Sequence, residues 1–256
     1  MHRNSVPIML RNVLLGLALI GCQTAHADAR KMVLTRPLKT GSVTTYKATI
    51  KVNVQGMDIA IDQSQKQTIK TIKDNGTVTI VSEDLGGTLK MNGMETEQKP
   101  GGPTTETRDK MGKLLELVHE QDANAPFTPE ITKLLSGTSE LLMTDKEVGE
   151  GDSWETTLVN PVTKDAKVVV KTVYQGIEKV GGVDLWKFKQ TAEAVVAADG
   201  AKMTNASTIW INPKDGLMEK LDGKVTGLPT QQLGPVDFTI LVQRAKPAAA
   251  DAKNDK

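Results

Sequence analysis

The chain has 256 residues, with 32 lysine and arginine against 31 aspartate and glutamate, a formal charge of +1 and a single cysteine. So even a balance offers no basic footprint for nucleic acid and no polybasic patch for anionic lipid, and one cysteine excludes an internal disulfide. Histidine is equally sparse: His2 and His26 fall in the N-terminal segment and only His119 remains, so zinc sites built from His and Cys are excluded by count.

In the N-terminal segment, Arg3 and Arg11 precede the apolar run Val13 to Ile20. This is the charged-then-apolar order of an export signal, and the run is too short to cross a bilayer. Two cut sites compete. Leu19-Ile20-Gly21-Cys22 resembles a bacterial lipobox, with cleavage before Cys22 and acylation of its sulfur, although Ile20 is less usual before the glycine. Ala25-His26-Ala27 fits ordinary small-x-small cleavage after Ala27. Residues 1 to 27 are therefore expected to be a signal peptide. The chain is expected to be exported, and either periplasmic or lipid-anchored through Cys22 to the outer membrane of a bacterium. Gln23, rather than Asp, resembles the outer-membrane sorting signal of lipoproteins. Removing residues 1 to 27 takes away Arg3 and Arg11 and no acid, which leaves 30 basic and 31 acidic side chains.

Residues 28 to 245 are expected to form an antiparallel β domain. After an opening strand near Val33-Leu34, Ile50-Lys51-Val52-Asn53-Val54 and Thr77-Val78-Thr79-Ile80-Val81 alternate in the period-two pattern of strands that bury one face. Turn signals stand at Gln55-Gly56, Asp74-Asn75-Gly76, Asn92-Gly93, Gly181-Gly182, Asp199-Gly200 and Pro213-Lys214-Asp215-Gly216. Asn-Gly and Gly-Gly pairs supply the positive φ of tight hairpins, so neighbouring strands are expected to be antiparallel. A loose correspondence between the run opening at Gly41-Ser42-Val43 and the run opening at Gly151-Asp152-Ser153 allows two similar half-sheets that join.

A helical insert is expected at about residues 104 to 137. Met111, Leu114, Leu115 and Val118 fall at i, i+3, i+4 and i+7, one apolar stripe that Thr104 or Thr105 would cap. A second short helix opens at Thr128-Pro129-Glu130 and is expected to end at Gly137. Val236 to Val242 reads as the closing strand. Residues 246 to 256, small and charged without an apolar period, read as a disordered tail.

Little here speaks for catalysis. His119 reads as a solvent-facing residue near a helix C-terminus, where its charge suits the dipole. The sequence has no phosphate-binding G-x-x-x-x-G-K-S/T loop, no G-x-S-x-G elbow and no D-x-D-x-D-G calcium loop. Glu83-Asp84, Asp152 with Glu155, and Asp184 would act as a glycosidase pair only if two carboxyls flanked one bond. Asp152 reads better as a turn residue and Glu155 as the solvent side of a strand. The expectation is a protein with no catalytic residue, no metal and no cofactor.

For ligand binding, Trp154 reads as a core anchor after a turn or as a stacking wall. Trp186 and Phe188 share one face of a strand and, with Trp210, are assigned to core or cavity lining. Met57, Met91, Met94, Met111, Met143, Met203 and Met218 suit either core filling or an adaptable lipid pocket.

The signal with its lipobox, the opening strand, the helical insert, Val148-Gly149-Glu150-Gly151-Asp152-Ser153-Trp154 and Trp210-Ile211-Asn212-Pro213-Lys214-Asp215-Gly216-Leu217 form a recognisable order. It resembles bacterial exported, lipoprotein-like β-sheet proteins with a Gly-Asp-Ser-Trp signature. More distantly it is similar to the LolA/LppX-type lipoprotein carriers, whose curved sheet wraps a hydrophobic cavity. With the strand pattern, this implies a mostly β fold: a curved, half-barrel-like antiparallel sheet with a small central helical insert. It also implies a non-catalytic envelope protein that binds a lipid or other apolar ligand in the concave face, with no nucleic-acid partner and a membrane contact only through Cys22. The alternatives are a structural or protein-interaction module of the envelope, and a cell-wall hydrolase. The substitution Cys22→Ala separates the two N-terminal fates: an acylated chain loses membrane association and changes gel mobility, whereas a chain cut after Ala27 does neither.

Overall fold

The computed structural model of the chain describes residues 31–54, 56–119, 127–197, 199–230 and 234–246. The expected signal segment with Cys22, and residues 247–256 of the expected tail, lie outside the described residues. The alternating sequence folds as the period-two pattern dictates. Strands β1 (Met32–Val33), β2 (Val43–Val54), β3 (Met57–Ile72), β4 (Val78–Met91), β5 (Met94–Gln98), β6 (Thr104–Arg108) and β7 (Leu114–His119) precede one helix, α1 (Pro129–Ser139). Strands β8 (Glu147–Val148), β9 (Ser153–Val159), β10 (Lys167–Val180), β11 (Val183–Val195), β12 (Lys202–Ile211), β13 (Met218–Thr230) and β14 (Gly234–Arg244) follow it. Asn75-Gly76, Asn92-Gly93, Gly181-Gly182 and Asp215-Gly216 each fall between consecutive strands, as tight antiparallel turns require.

Twelve strands make one curved antiparallel sheet in the order β7-β6-β4-β3-β2-β14-β13-β12-β11-β10-β9, with β5 paired to β4. Two meanders therefore join at a seam where β2 pairs with β14, Ile50 lying opposite Ile240. No barrel closes among the described residues. Register shifts put extra residues in β4 opposite Gln63/Gln65, in β3 at Ile69/Thr71, in β10 at Tyr174/Ile177 and in β13 at Val225/Leu228, and such bulges bend the strands and increase their twist. β1 and β8 form a separate two-stranded ladder, with Met32 opposite Val148.

One face of the sheet, the inner one, carries the core. On β12 the buried residues Met203, Asn205, Ser207, Ile209 and Ile211 alternate with Lys202, Thr204, Ala206 and Thr208. α1 lies on the inner face of the second meander. Thr128 caps it by accepting from Ile131 N at 3.4 Å, Pro129 occupies the first turn where its missing N–H costs nothing, and Glu130 faces the positive end of the dipole. Ile131 and Leu134 pack against Val168, Val170, Ala192 and Ala194, the two alanines leaving room for the helix to approach. Each fully buried aliphatic side chain of this kind stabilises the fold by roughly 1.5–3 kcal/mol.

The helix does not end at Gly137 as expected. It runs to Ser139, and Glu140 leaves it in an extended conformation. Gly137 is buried inside the helix, with Leu158 Cδ1 3.9 Å from the position a Cβ would take. A glycine cap is unnecessary because the sheet supplies the missing partners. The fully buried Gln190 donates through Nε2 to Thr138 O at 3.0 Å and Glu140 O at 2.8 Å. Its Oε1 accepts from Leu142 N at 3.0 Å and Thr172 Oγ1 at 3.1 Å. Asn205 Nδ2 adds a bond to Thr138 Oγ1 at 3.2 Å.

The expected helix over Met111 to Val118 is instead a hairpin. Thr104 and Thr105 lie in β6, Leu114, Leu115 and Val118 lie in β7, and residues 109–112 form the turn. Asp109 Oδ1 accepts from Met111 N and Lys113 N, both at 2.9 Å, and Gly112 takes φ 87°. Any other residue at 112 would be strained and would bring its Cβ to 2.4 Å from Leu141 O. The helical spacing thus straddles a turn: Met111 packs on the core, while Leu115 and Val118 are 50% and 55% exposed. The helical insert contracts to α1. His119 is exposed on a strand, its Nδ1 2.8 Å from Thr104 Oγ1, so the helix-dipole argument does not apply to it.

Replacing Gln190 by leucine keeps the volume but strands the Leu142 N–H and the carbonyls of Thr138 and Glu140. The expected loss is about 3 kcal/mol, seen as a lower midpoint in urea denaturation with an unchanged slope.

Candidate functional site

α1 and the chain after it fill the inner face over the second meander, but the inner face of β2, β3, β4 and β6 lacks such a cover. There, residues 33–38 cross as a strap, and between strap, sheet and residues 143–145 lies a cavity of about 410 Å³. Its apolar walls include Leu34, Leu38, Ile69, Ile72, Val78 and Ile80. The same face continues along β2, β3 and β4 as two rows of half-buried aliphatic side chains, Ile50, Ile61 and Leu89 in one and Val52, Ile59 and Met91 in the next.

The strap is fastened by Arg36. Its Nε donates to Gly216 O at 2.7 Å, and Nη1 pairs with Glu140 Oε1 at 2.5 Å. Gly216 has φ 70°, and a Cβ there would fall 2.9 Å from Arg36 Cα, so glycine is what lets the strap lie this close to the turn between β12 and β13. On the opposite wall, Arg108 is buried and fully engaged. Nε and Nη2 reach Glu106 Oε2 at 2.9 and 2.7 Å, Nη1 donates to Gly112 O at 3.0 Å, and Nη2 also meets Ser136 Oγ at 2.9 Å. Ser136 Oγ donates to Glu106 Oε1 at 2.6 Å, which ties β6, its turn and α1 into one knot.

Burial opposes ionisation of Glu140, but the charge of Arg36, then that of Arg108, and the Arg36 hydrogen bond outweigh it and hold the carboxyl below the usual range. Tyr46, 4% exposed on the same wall, is pushed far above the ordinary phenol range, first by burial and then by the Glu140 charge. Nearby, Arg244 Nη1 pairs with Asp215 Oδ2 at 2.6 Å and Glu219 Oε1 at 2.9 Å.

None of the four aromatic candidates from the sequence borders this cavity. Phe188 is fully buried, with ring centroids 5.3 Å from Tyr174 and 6.3 Å from Trp154. Trp154 donates through Nε1 to Leu142 O at 2.9 Å and edges a separate, more open cleft of about 570 Å³. Trp186 packs beside the Phe188 cluster. Trp210 is on the other face, because Ile209 and Ile211 take the inward positions of β12. It lies opposite Lys187 and Lys220 in register, and their ammonium groups are 5.6 and 4.5 Å from its ring centroid.

Of the carboxylates weighed for hydrolysis, Glu83, Glu155 and Asp184 lie on strands, Glu83 paired with Lys66, while Asp84 and Asp152 hold backbone amides. Asp84 accepts from Gly86 N at 2.8 Å and Gly101 N at 2.9 Å. Asp152 accepts from Gly149 N at 3.0 Å and pairs with Lys31 at 3.1 Å, and the Gly149 bond followed by Lys31 keeps its carboxyl below the usual range. Among the described residues, no group of three or more His, Cys, Asp or Glu is placed to hold a metal ion, and no helix is long and apolar enough to cross a membrane.

Sequence reasoning missed Arg36, Arg108 and Tyr46. Tyr46 carried a usable signal, since it shares the strand parity of Ile50 and Val52. Arg108 was hidden by the helical reading of its segment, and Arg36 gave no local sign.

No protein-family profile matches the chain, and no curated protein matches it. Among solved structures, a lipoprotein candidate from Parabacteroides distasonis aligns over 84% of this chain and 100% of its own, at 8% identity and TM-score 0.34. The hypothetical lipoprotein YmcC from Escherichia coli aligns over 85% and 91%, at 13% identity and TM-score 0.29. A candidate outer membrane lipoprotein-sorting protein domain from Vibrio parahaemolyticus aligns over 82% and 86%, at 8% identity and TM-score 0.22. Similarities this loose transfer neither a fold family nor a function.

The Arg36–Glu140 pair has a pH signature. A carboxyl more acidic when folded than its unfolded value of about 4.3 contributes fully above that value, and the contribution is lost as pH falls through the folded pKa. Arg36→Gln removes the nearest charge and raises the carboxyl's pKa. The variant is expected to be less stable by about 1–3 kcal/mol at neutral pH, and urea denaturation across a pH series should show the difference shrinking as Glu140 protonates.

Proposed function

We propose that this chain is a non-catalytic protein of the bacterial cell envelope that binds a lipid or another apolar molecule on the inner face of its sheet. The observation that carries the reading is the cavity of about 410 Å³, with aliphatic walls and ion pairs fixed at its border. That volume lies in the roughly 300–1,000 Å³ range of small-molecule sites, which are mostly apolar with a few placed polar groups. The half-buried aliphatic rows of β2, β3 and β4 extend the same surface beyond the cavity. Export rests on the N-terminal residues, with anchoring at Cys22 or release after Ala27 as its two forms. A hydrolytic role finds less support, since Asp84 and Asp152 are committed to backbone N–H groups.

Binding of the apolar dye Nile red to the purified chain tests this reading. The dye is expected to brighten and to be displaced by tetradecane, and Ile80→Trp, which fills the cavity from a half-buried strand position, should weaken binding by about tenfold without lowering the melting temperature. A protein that neither binds the dye nor yields lipid on solvent extraction would not be a lipid binder, and the interaction-module alternative would take its place.

A further inference from the structure

Strands β2 and β3 contribute a polar stretch to the cavity wall. Thr44 and Gln67 face each other in register, Tyr46 lies two residues along on the same face as Thr44, and all three border the cavity. Thr44 is 7% exposed and its Oγ1 is buried with no hydrogen-bond partner. The Tyr46 hydroxyl and the half-buried Gln67 amide, which are more accessible than Thr44 Oγ1, also have no hydrogen-bond partner among the described residues. Buried polar groups nearly always have partners, and each one left without costs about 1–3 kcal/mol. A buried, unpartnered Thr44 hydroxyl on the wall of an apolar cavity, with two further unpartnered polar groups beside it, is therefore unusual unless an occupant completes it.

The charges nearby restrict that occupant. Arg36 is paired with Glu140 at 2.5 Å and bonded to Gly216, and Arg108 is consumed by Glu106, Gly112 and Ser136. Of the other charges at the border, Lys110 and Asp145 are exposed and Asp109 is held by its own turn, and the three cations of the lining are matched by three acids, so a carboxylate or phosphate meets no net positive charge there. Glu140 is equally unavailable to an ammonium group. What remains is a donor from Tyr46, a hydroxyl of either sense from Thr44, and one donor and one acceptor from Gln67. An ester carbonyl beside a free hydroxyl matches this set, and a bare hydrocarbon leaves all of it unpaired. Burial of Tyr46 keeps its phenol protonated, and thus a donor, throughout the physiological range.

We infer that the cavity selects an uncharged, polar-headed amphiphile of the acylglycerol class, its chain among Ile69, Val78 and Ile80 and its ester and hydroxyl groups on Thr44, Tyr46 and Gln67. This rests on the apolar-ligand reading above and adds the head group to it.

The test uses displacement of Nile red from the full chain by monomyristoylglycerol, myristate and tetradecane. The glyceride is expected to bind about tenfold more tightly than either of the others, the size of effect expected of one or two hydrogen bonds in a dry site. Tyr46→Phe, which breaks no bond within the protein, should cost about tenfold for the glyceride alone and leave tetradecane unchanged. Thr44→Val, near-isosteric, is the companion variant and should act in the same direction. Equal binding of the three probes, a preference for myristate, or a glyceride affinity indifferent to both substitutions would overturn the head-group assignment while leaving the apolar-ligand reading intact. Failure of every probe to displace the dye would overturn both.

Discussion

The buried amide of Gln190 decides how the inner face of the sheet is divided. One side chain on β11 holds the carbonyls of Thr138 and Glu140 at the end of α1 and the amide of Leu142 in the extended chain beyond it. In water these bonds would be worth little, but in a dry interior the alternative is several stranded polar groups, so the geometry is strongly enforced. The helix is thereby kept over β10, β11 and β12, and Glu140 emerges at a fixed point facing the first meander.

From that point the cavity follows. Glu140 gives Arg36 its partner, Arg36 carries the strap across the open end of the sheet, and Leu34 on the strap is buried in the core beneath. The Arg108 knot steadies the opposite wall by joining β6 to α1. Both ion pairs are enclosed enough that losing one partner would leave an uncompensated charge, which discourages collapse of the walls onto each other. Space remains where the second meander has helix and the first has none.

The sheet was legible in the sequence because a strand that buries one face writes its period directly into the chain, and because Asn75-Gly76, Asn92-Gly93 and Gly181-Gly182 carry turn chemistry that needs no tertiary context. α1 was legible for the same local reason, through Thr128 and Pro129. The hairpin of β6 and β7 was not. Its apolar residues happen to fall at helical spacing, and only the Asp109 side chain, bonding the turn amides, breaks the pattern. The helix end was equally obscure, since its cap comes from Gln190, fifty residues away in the chain. The cavity was least legible. Its fastening residues, Arg36 and Arg108, act through partners far off in sequence, while the conspicuous tryptophans went to the core, to the border of another cleft and, for Trp210, to the opposite face under two lysines.

The seam between β2 and β14 has a further meaning. Val52 and Phe238 are neighbours at the middle of the sheet, yet they come from opposite ends of the folded chain. Neither meander can satisfy its inner edge until the other is present, and contacts between such distant segments form slowly because the intervening chain must first lose its freedom. A polypeptide emerging gradually, whether from a ribosome or through a narrow translocation channel, cannot complete its central ladder until β14 has emerged. Such a chain stays threadable until late and gains its cooperativity in a single final step.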